Sequence, residues 1–293
     1  MNKKKNIIGY CMLFPFLAHF VLFMVYPYIT TFIYSFSNKD FRKRTMEFVG
    51  FANYKDVFQD SLFYKVLENT AIWQIFVPIG CVVLGLALAL LLNRKLKGTA
   101  IMRVSFYIPS VLDWVAVSVA FIFILNTNVG IVNPILMKLG FPPQRLLDDP
   151  KQALPIMILI TYWKSAGYYS VFYLAALQDV NPNLLEAASI DGANAWQRFA
   201  NITLPQIAPV TVVVVVMAWA NSIKLIEPFY AMTLGGPARA TTTLILYFHE
   251  IAFGFLRIGK GSAVAVIFTL IVFVAVVFQR IALNRMKGAE GSN

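Results

Sequence analysis

Charged side chains make up only 13% of the 293 residues, about half the roughly 25% usual in soluble domains, while 59% of the chain is hydrophobic. That balance excludes a water-soluble globule. Histidine and cysteine are nearly missing too. His19 and His249 stand in no HExxH arrangement, and neither a GxSxG nor a CxxC pattern occurs, so zinc, triad and thiol redox chemistry find no residues to carry them. Cys11 and Cys81 lie inside apolar runs, without disulfide or metal-ligand spacing, and read as small core residues. No internal period is visible, which counts against transporters built from symmetric halves. Lys and Arg outnumber Asp and Glu by 25 to 14, but they are scattered rather than gathered into a basic domain, so nucleic acid is not indicated. A nucleotide P-loop fails by one residue. After Gly254, Gly259 and Lys260, Gly261 occupies the place of the magnesium-binding Ser or Thr, and no hydrophobic strand precedes the segment.

What the chain does have is length without charge. Residues 6–38, 69–93, 199–223 and 261–279 carry no charged side chain. About 20 apolar residues at 1.5 Å rise cross the ~30 Å hydrocarbon layer as a helix whose backbone satisfies its own hydrogen bonds. The expected fold class is all-α, a polytopic membrane protein with six transmembrane helices near 8–35, 70–92, 104–126, 153–177, 207–228 and 262–283. Lys3, Lys4 and Lys5 before the first run suggest an uncleaved first helix. Val129 to Leu139 is too short to span. Counts of Lys and Arg by side, 11 and 12, do not orient the chain. Their clustering at Lys3–Lys5, Arg94–Arg103 (with Lys95 and Lys97) and Arg280–Lys287 (with Arg285) places both termini in the cytoplasm.

The most informative segment is the amphipathic connection over 178–206. Pro182 suits a helix start, Gly192 permits a tight turn between two short helical stretches, and Pro205 resets the chain before the fifth helix. Glu186 and Asp191 leave charge on one side, while Leu184, Leu185, Ala188, Phe199 and Ile202 are available to pack, and small residues at 187, 188 and 193 permit close approach. The segment reads as a protruding helical knob.

Glu186-Ala187-Ala188, Gly192, Ile202 and Leu204-Pro205 stand at fixed spacing: EAA, three residues, G, nine residues, I, one residue, LP. In this the chain resembles the permease subunits of binding-protein-dependent ABC importers. Asp191, Ala193, Phe199, Thr203 and Pro209, together with Ser35-Phe36, the stretch Phe48 to Tyr54, Asn69-Thr70, Gly235-Gly236-Pro237, Ala252-Phe253, Gly259 and Ser262-Ala263, extend the likeness over nearly the whole chain. They point to the carbohydrate-uptake branch, of the maltose and glycerol-phosphate type. Asn181 departs from the pattern, standing where relatives often carry proline. The resemblance implies a type I ABC importer permease fold. In domain terms it implies an N-terminal helix and extracytoplasmic loop (1–65), a five-helix core (66–284) containing the coupling loop 178–206, and a short cytoplasmic tail (285–293). It also implies a bacterial cytoplasmic-membrane protein without its own ATPase site. ATP and magnesium would sit on two partner ATP-binding subunits, and a second permease and an extracytoplasmic solute-binding protein would complete the assembly. The knob would dock on the ATPase, with Glu186 and Gly192 central and Ala187, Ala188, Asp191 and Ala193 shaping the contact.

Polar and aromatic residues in the later spans are candidates for a substrate path: Lys164 and Tyr168, with Trp163 and Tyr169, on the fourth helix, and Trp219, Asn221, Lys224 and Glu227 on the fifth. Lys164 and Tyr168 are four apart, and Asn221, Lys224 and Glu227 successively three apart, so each set can share a helix face. Hydroxyls and rings suit a sugar. Alternatively, Lys224 and Glu227 neutralise each other or pair with a partner subunit. Two other classes are an ion-coupled secondary transporter using Asp113, Lys164 or Glu227, and a membrane enzyme or scaffold, for which no polar catalytic cluster is evident.

Overall fold

The computed structural model describes residues 3–40, 46–94 and 97–290, with side chains over 12–40, 46–94 and 97–281. Lys95, the side chains of Lys3 to Lys5, Cys11, Arg285 and Lys287, and the last residues of the tail lie outside that description. Among the described residues helix is the only regular structure, apart from one antiparallel bridge between Ser37 and Phe48.

In chain order, α1 (Lys3–Phe20) runs through a π-helical turn (Val21–Val25) into α2 (Tyr26–Ser35), followed by the short α3 (Ala52–Phe58) and the 32-residue α4 (Ser61–Leu92). Then come α5 (Thr99–Val111), α6 (Trp114–Ile124), the short α7 (Val132–Lys138) and α8 (Ala153–Gln178). The knob segment holds α9 (Pro182–Ile190) and α10 (Ala195–Arg198), and a π-helical turn (Phe199–Thr203) leads into α11 (Leu204–Ile223). Last are α12 (Leu244–His249) and α13 (Ile258–Glu290).

Four helices among the described residues are long and apolar enough to cross a membrane: Met12–Ser35, Ser61–Leu92, Ala195–Ile223 and Ile258–Ile281. A fifth crossing exists if α5 and α6, bent by 98°, count as one broken span. The remaining expected helix, the fourth, is α8; it has 26 residues, but Lys164 and a run of hydroxyl-bearing residues interrupt its apolar character.

The first and last helices extend beyond the expected 8–35 and 262–283, beginning at Lys3 and ending at Glu290, and three other boundaries differ for a local reason. The second span starts at Ser61, nine residues early, because the Asp60 carboxylate caps it by accepting the Leu62 N–H at 3.0 Å. The helix expected over 104–126 breaks at Leu112 and Asp113. Both have extended backbone, and the Asp113 carboxylate accepts the Val115 N–H at 2.8 Å as the N-cap of α6. The helix expected to reach 228 ends at Ile223, with Lys224 as its C-cap, so Glu227 lies beyond it.

The chain forms two compact units, one comprising residues up to Tyr64 and from Leu244 onward, the other Lys65–Thr243. In the first, α13 packs on α2 and α3. The junction is tied by Asn53, whose Nδ2 donates to the carbonyls of Ser35 and Ser37, both at 2.9 Å. The Tyr54 hydroxyl bonds Ser35 Oγ at 2.7 Å, the Gly259 N–H donates to the Lys39 carbonyl at 3.0 Å, and Phe36 sits between the rings of Phe51 and Tyr54. Residues far apart in sequence that carried the resemblance thus meet in one structural joint.

In the second unit, α8 supplies much of the core, packing on α5 and α11. At Gly167 it comes so near α5 that a Cβ would run into the Phe106 carbonyl; only glycine permits this crossing. Buried Asn69 holds the loop after α11, its Nδ2 donating to the carbonyls of Arg239 (2.9 Å) and Thr242 (3.0 Å).

The carboxylate of Asp60 also receives the Tyr247 hydroxyl at 2.7 Å and pairs with Lys260 at 3.4 Å. Burial raises its pKa, but the Tyr247 hydroxyl, the Leu62 N–H and the Lys260 ammonium together outweigh that and hold it below the ordinary carboxylate value. A depressed native pKa contributes stability above the unfolded value, near 3.9, and loses it as pH falls through the native one. Solvent screening limits the contribution to about 1 kcal/mol. Asp60→Asn is therefore expected to lower the thermal midpoint at pH 7 slightly and to remove part of the stability loss seen in the wild type on acidification from about pH 5. Identical acid profiles for the two proteins would contradict this.

Candidate functional site

A polar cavity of about 370 Å³ opens within the second unit. Val77 and Cys81 of α4, Ser110 and Trp114 at the break between α5 and α6, Thr161, Lys164, Ser165, Tyr168 and Tyr169 of α8, and Ala218, Asn221 and Ser222 of α11 line it. Lys224, Leu225 and Glu227 follow at the end of α11. Positions 161, 164, 165 and 168 form one face of α8, and 218, 221 and 222 form the corresponding face at the end of α11.

Helix ends form much of the wall. The carbonyls at the end of α5 have no helical partners, and Lys164, only 5% exposed, donates to three carbonyls there: Pro109 at 3.3 Å, Ser110 at 3.2 Å and Leu112 at 2.7 Å. Three acceptors match the three N–H bonds of an ammonium. The same cation lies 4.9 Å from the centre of the Trp114 ring, fixing the indole against the cavity. Across the unit, α11 is held by α4. Trp73 Nε1 donates to the Ser222 carbonyl (3.1 Å), Gln74 Nε2 to the Trp219 carbonyl (2.9 Å), and Ser222 Oγ to Gln74 Oε1 (3.1 Å). Asn221 Nδ2 faces the Tyr169 hydroxyl at 3.4 Å.

Of the residues expected on the substrate path, Lys164, Tyr168, Asn221, Lys224 and Glu227 all border this cavity, as does Tyr169. Trp219 does not; its contribution is the carbonyl bonded by Gln74. Trp163 points elsewhere, half exposed against Phe121. Lys224 and Glu227 share no helix face, because α11 has already ended, and among the described residues no ion pair joins them. Ser110, Thr161, Ser165 and Ser222 were not singled out from sequence. For Thr161 and Ser165 the signal was present, one turn from Lys164 and Tyr168. Among the described residues no group of three His, Cys, Asp or Glu side chains is placed to hold a metal ion.

The second candidate is the knob. Asn181 caps α9, its side chain accepting the Asn183 N–H at 3.0 Å, so the departure at 181 supplies a cap. Asp191 closes the helix and Gly192 takes the left-handed backbone, φ +84°, with nothing within 4 Å of where a Cβ would stand. The Gly192 N–H bonds the Ser189 carbonyl (3.2 Å) and the Ala193 N–H the Ala188 carbonyl (2.9 Å), a Schellman closure. Asn194 and Gln197 form a reciprocal capping box that starts α10. Arg198, which the sequence reading passed over, braces the turn by donating to Ser189 Oγ (3.1 Å) and the Ala193 carbonyl (2.8 Å). No residue of α9 or α10 is buried, and Ile190 and Trp196 are 87% and 72% exposed. The apolar residues of α9 thus remain uncovered on a rigidly hydrogen-bonded turn.

Residues 81–288, which include the knob and all of the cavity lining except Val77, match the family described as binding-protein-dependent transport system inner membrane component. The chain belongs to that family. Among similar permeases, the sulfoquinovosyl glycerol transport system permease protein of Agrobacterium fabrum is 36% identical over 236 residues, covering 80% of this chain and 77% of the relative. The lactose transport system permease protein of Rhizobium radiobacter is 31% identical, covering 94% and 93%. A solved bacterial alginate ABC transporter, in complex with alginate pentasaccharide-bound periplasmic protein, contains a chain that superposes with a TM-score of 0.85 at 25% identity, covering 97% of this chain and 96% of that one. This protein is accordingly an inner-membrane permease subunit of an ABC importer: a transport component without an ATPase site of its own, and not an ion-coupled secondary transporter.

Replacing Lys164 by Met strips the end of α5 of its three donors at a buried site. A loss of about 2–4 kcal/mol is expected, since each unsatisfied buried acceptor costs roughly 1–3 kcal/mol and relaxation recovers part. Thermal unfolding of the detergent-purified subunit measures it; an unchanged midpoint would mean the break is held by other contacts.

Proposed function

We propose that this subunit forms half of the translocation pathway of a sugar or oligosaccharide importer and is driven through the knob by a cytoplasmic ATPase. The observation that carries the coupling role is the exposed turn at Gly192, rigid in itself yet apolar and uncovered, bearing the EAA, G, I, LP spacing. In this reading Glu186, Ala187, Ala188, Asp191, Gly192 and Ala193 form the surface gripped by the ATPase. Leu184, Ile190 and Trp196 are the apolar groups that contact would bury, and Arg198 keeps the turn from yielding. A push differs between states only if the contact is kept in both, and a rigid turn meets that requirement.

The cavity supports the solute class. Its tyrosine hydroxyls, serines, threonine and asparagine offer hydrogen bonds to sugar hydroxyls, and the rings of Trp114, Tyr168 and Tyr169 offer faces to sugar C–H surfaces. Lys164, spent on backbone carbonyls, acts as a wall, leaving Asn221, Lys224, Glu227 and Tyr168 to meet solute. The similar permeases named for lactose and the alginate pentasaccharide complex agree with a saccharide.

Completing the reading, α8 serves as a sixth span, its polar turn facing the cavity rather than lipid, and both termini lie in the cytoplasm with the knob. A second permease supplies the other half of the path, two ATP-binding subunits carry ATP and magnesium, and an extracytoplasmic binding protein delivers the solute.

Gly192→Val places a β-branched residue in left-handed backbone at a cost of about 1–2 kcal/mol or more, without touching any span. The variant is expected to insert and accumulate normally while losing at least tenfold in solute uptake by vesicles; full uptake at wild-type abundance would remove the knob from the coupling path. The purified subunit alone is expected to show no ATP turnover, which should appear only on adding the ATP-binding partners. Turnover by the lone chain would overturn the division of labour.

A further inference from the structure

A second depression of about 570 Å³ lies on the second unit, between α5 and α8, and differs in character from the polar cavity. Its walls are Val104, Tyr107, Ile108, Val111, Leu112 and Val171, and its end is Arg103. It lies beside the close crossing at Gly167, where α8 touches the α5 backbone, with Val171 one turn further along α8. Along α5 the groove runs from Arg103 to Leu112, nine residues or about 14 Å at helical rise, roughly half the ~30 Å hydrocarbon layer. The groove is therefore about as long as one leaflet is thick, with a cation at one end.

That end is basic without compensation in the sequence. Between Glu68 and Asp113 the chain has Arg94, Lys95, Lys97 and Arg103 and no acidic residue. Arg94, Lys97 and Arg103 are all exposed. Arg103 is nevertheless pinned, one Nη donating to the Leu92 carbonyl at the end of α4 at 3.2 Å. Among the described residues no other acceptor is bonded to Arg103, so the rest of its five N–H bonds can present to a ligand, in the fork geometry that suits a phosphate.

We infer that this groove binds one anionic phospholipid, an acyl chain lying along Val104 to Leu112 and the phosphate held by Arg103. The order of chemistry along the groove, apolar for one leaflet's depth and then cationic, is the order of a phospholipid read from its tail. A protein partner covering the same face would have to place an acid opposite Arg103, whereas an anionic lipid brings its charge with it. The neighbouring Arg94 and Lys97 add attraction for a net-negative headgroup over a zwitterionic one.

The test uses the assembled importer in phosphatidylcholine vesicles containing a trace of either phosphatidylglycerol or phosphatidylcholine with a photoactivatable acyl chain, and maps crosslinks by mass spectrometry. Phosphatidylglycerol is expected to label residues 104–112 and 171 about fivefold more than phosphatidylcholine does, in line with the attraction of one basic side chain to an anionic surface. Arg103→Gln should reduce its labelling to the phosphatidylcholine level, and Arg103→Lys should keep part of the preference. Ile108→Trp, which fills the groove and leaves Arg103 in place, should abolish labelling by both lipids there. Co-purification with the partner subunits confirms that each variant assembles. Equal labelling by the two lipids in the wild type, or an unchanged preference in Arg103→Gln, overturns the inference. So does labelling of the lone subunit that vanishes in the assembled complex, which would make the face a contact between permeases.

Discussion

Helices that break inside apolar surroundings expose backbone carbonyls and N–H groups that no water is there to satisfy, and this constraint organises the rest of the molecule. Several of these breaks are closed by a side chain borrowed from elsewhere. Lys164 of α8 closes the end of α5, Trp73 and Gln74 of α4 hold the end of α11, and Asn69 holds the loop that follows it. In the other unit Asn53 does the same for the chain leaving α2. The polar residues that make these bonds are the ones that look misplaced in the sequence, and the cavity lies where several of them converge.

The two candidate sites solve opposite problems. Around the cavity the protein spends its strongest donor, the Lys164 ammonium, on its own backbone, so that the wall is rigid and the polar groups left facing the opening are mostly neutral hydroxyls and an amide. A sugar is recognised by many modest hydrogen bonds and ring faces, and such a lining suits it better than a single strong charge. At the knob the turn is closed mostly by near neighbours in sequence: an Asn cap, a Schellman turn and a capping box, with Arg198 as brace. The start of α9 is also tied to α11, the Asn181 N–H donating to Gln206 Oε1 at 3.3 Å, and the apolar side chains at the turn stay exposed.

Some of this was legible because it depends on neighbours in sequence. Charge-free runs mark the spans, Gly192 between two short helical stretches marks the turn, and the fixed spacing from Glu186 to Pro205 marks the family. The structure departs from the sequence expectation where a distant residue decides a local outcome. Asp113 read as an awkward charge within a span, yet it caps α6 at a break whose other side is closed by Lys164. Asn221, Lys224 and Glu227 kept helical spacing on paper, but α11 stops at Ile223. Trp219 does not border the cavity, and its carbonyl is held by Gln74.

Hydrophobicity and local turn chemistry act over a few residues and are written directly in the chain, so the sequence alone determined that this is a helical membrane protein of an importer family, with its knob hinged at Gly192. Which polar side chains border the cavity and which are consumed in closing helix ends was decided only by the packing of α4, α5, α8 and α11. A lysine's three N–H bonds are satisfied equally well by a ligand or by three backbone carbonyls, and only the folded arrangement brings the end of α5 within reach of Lys164.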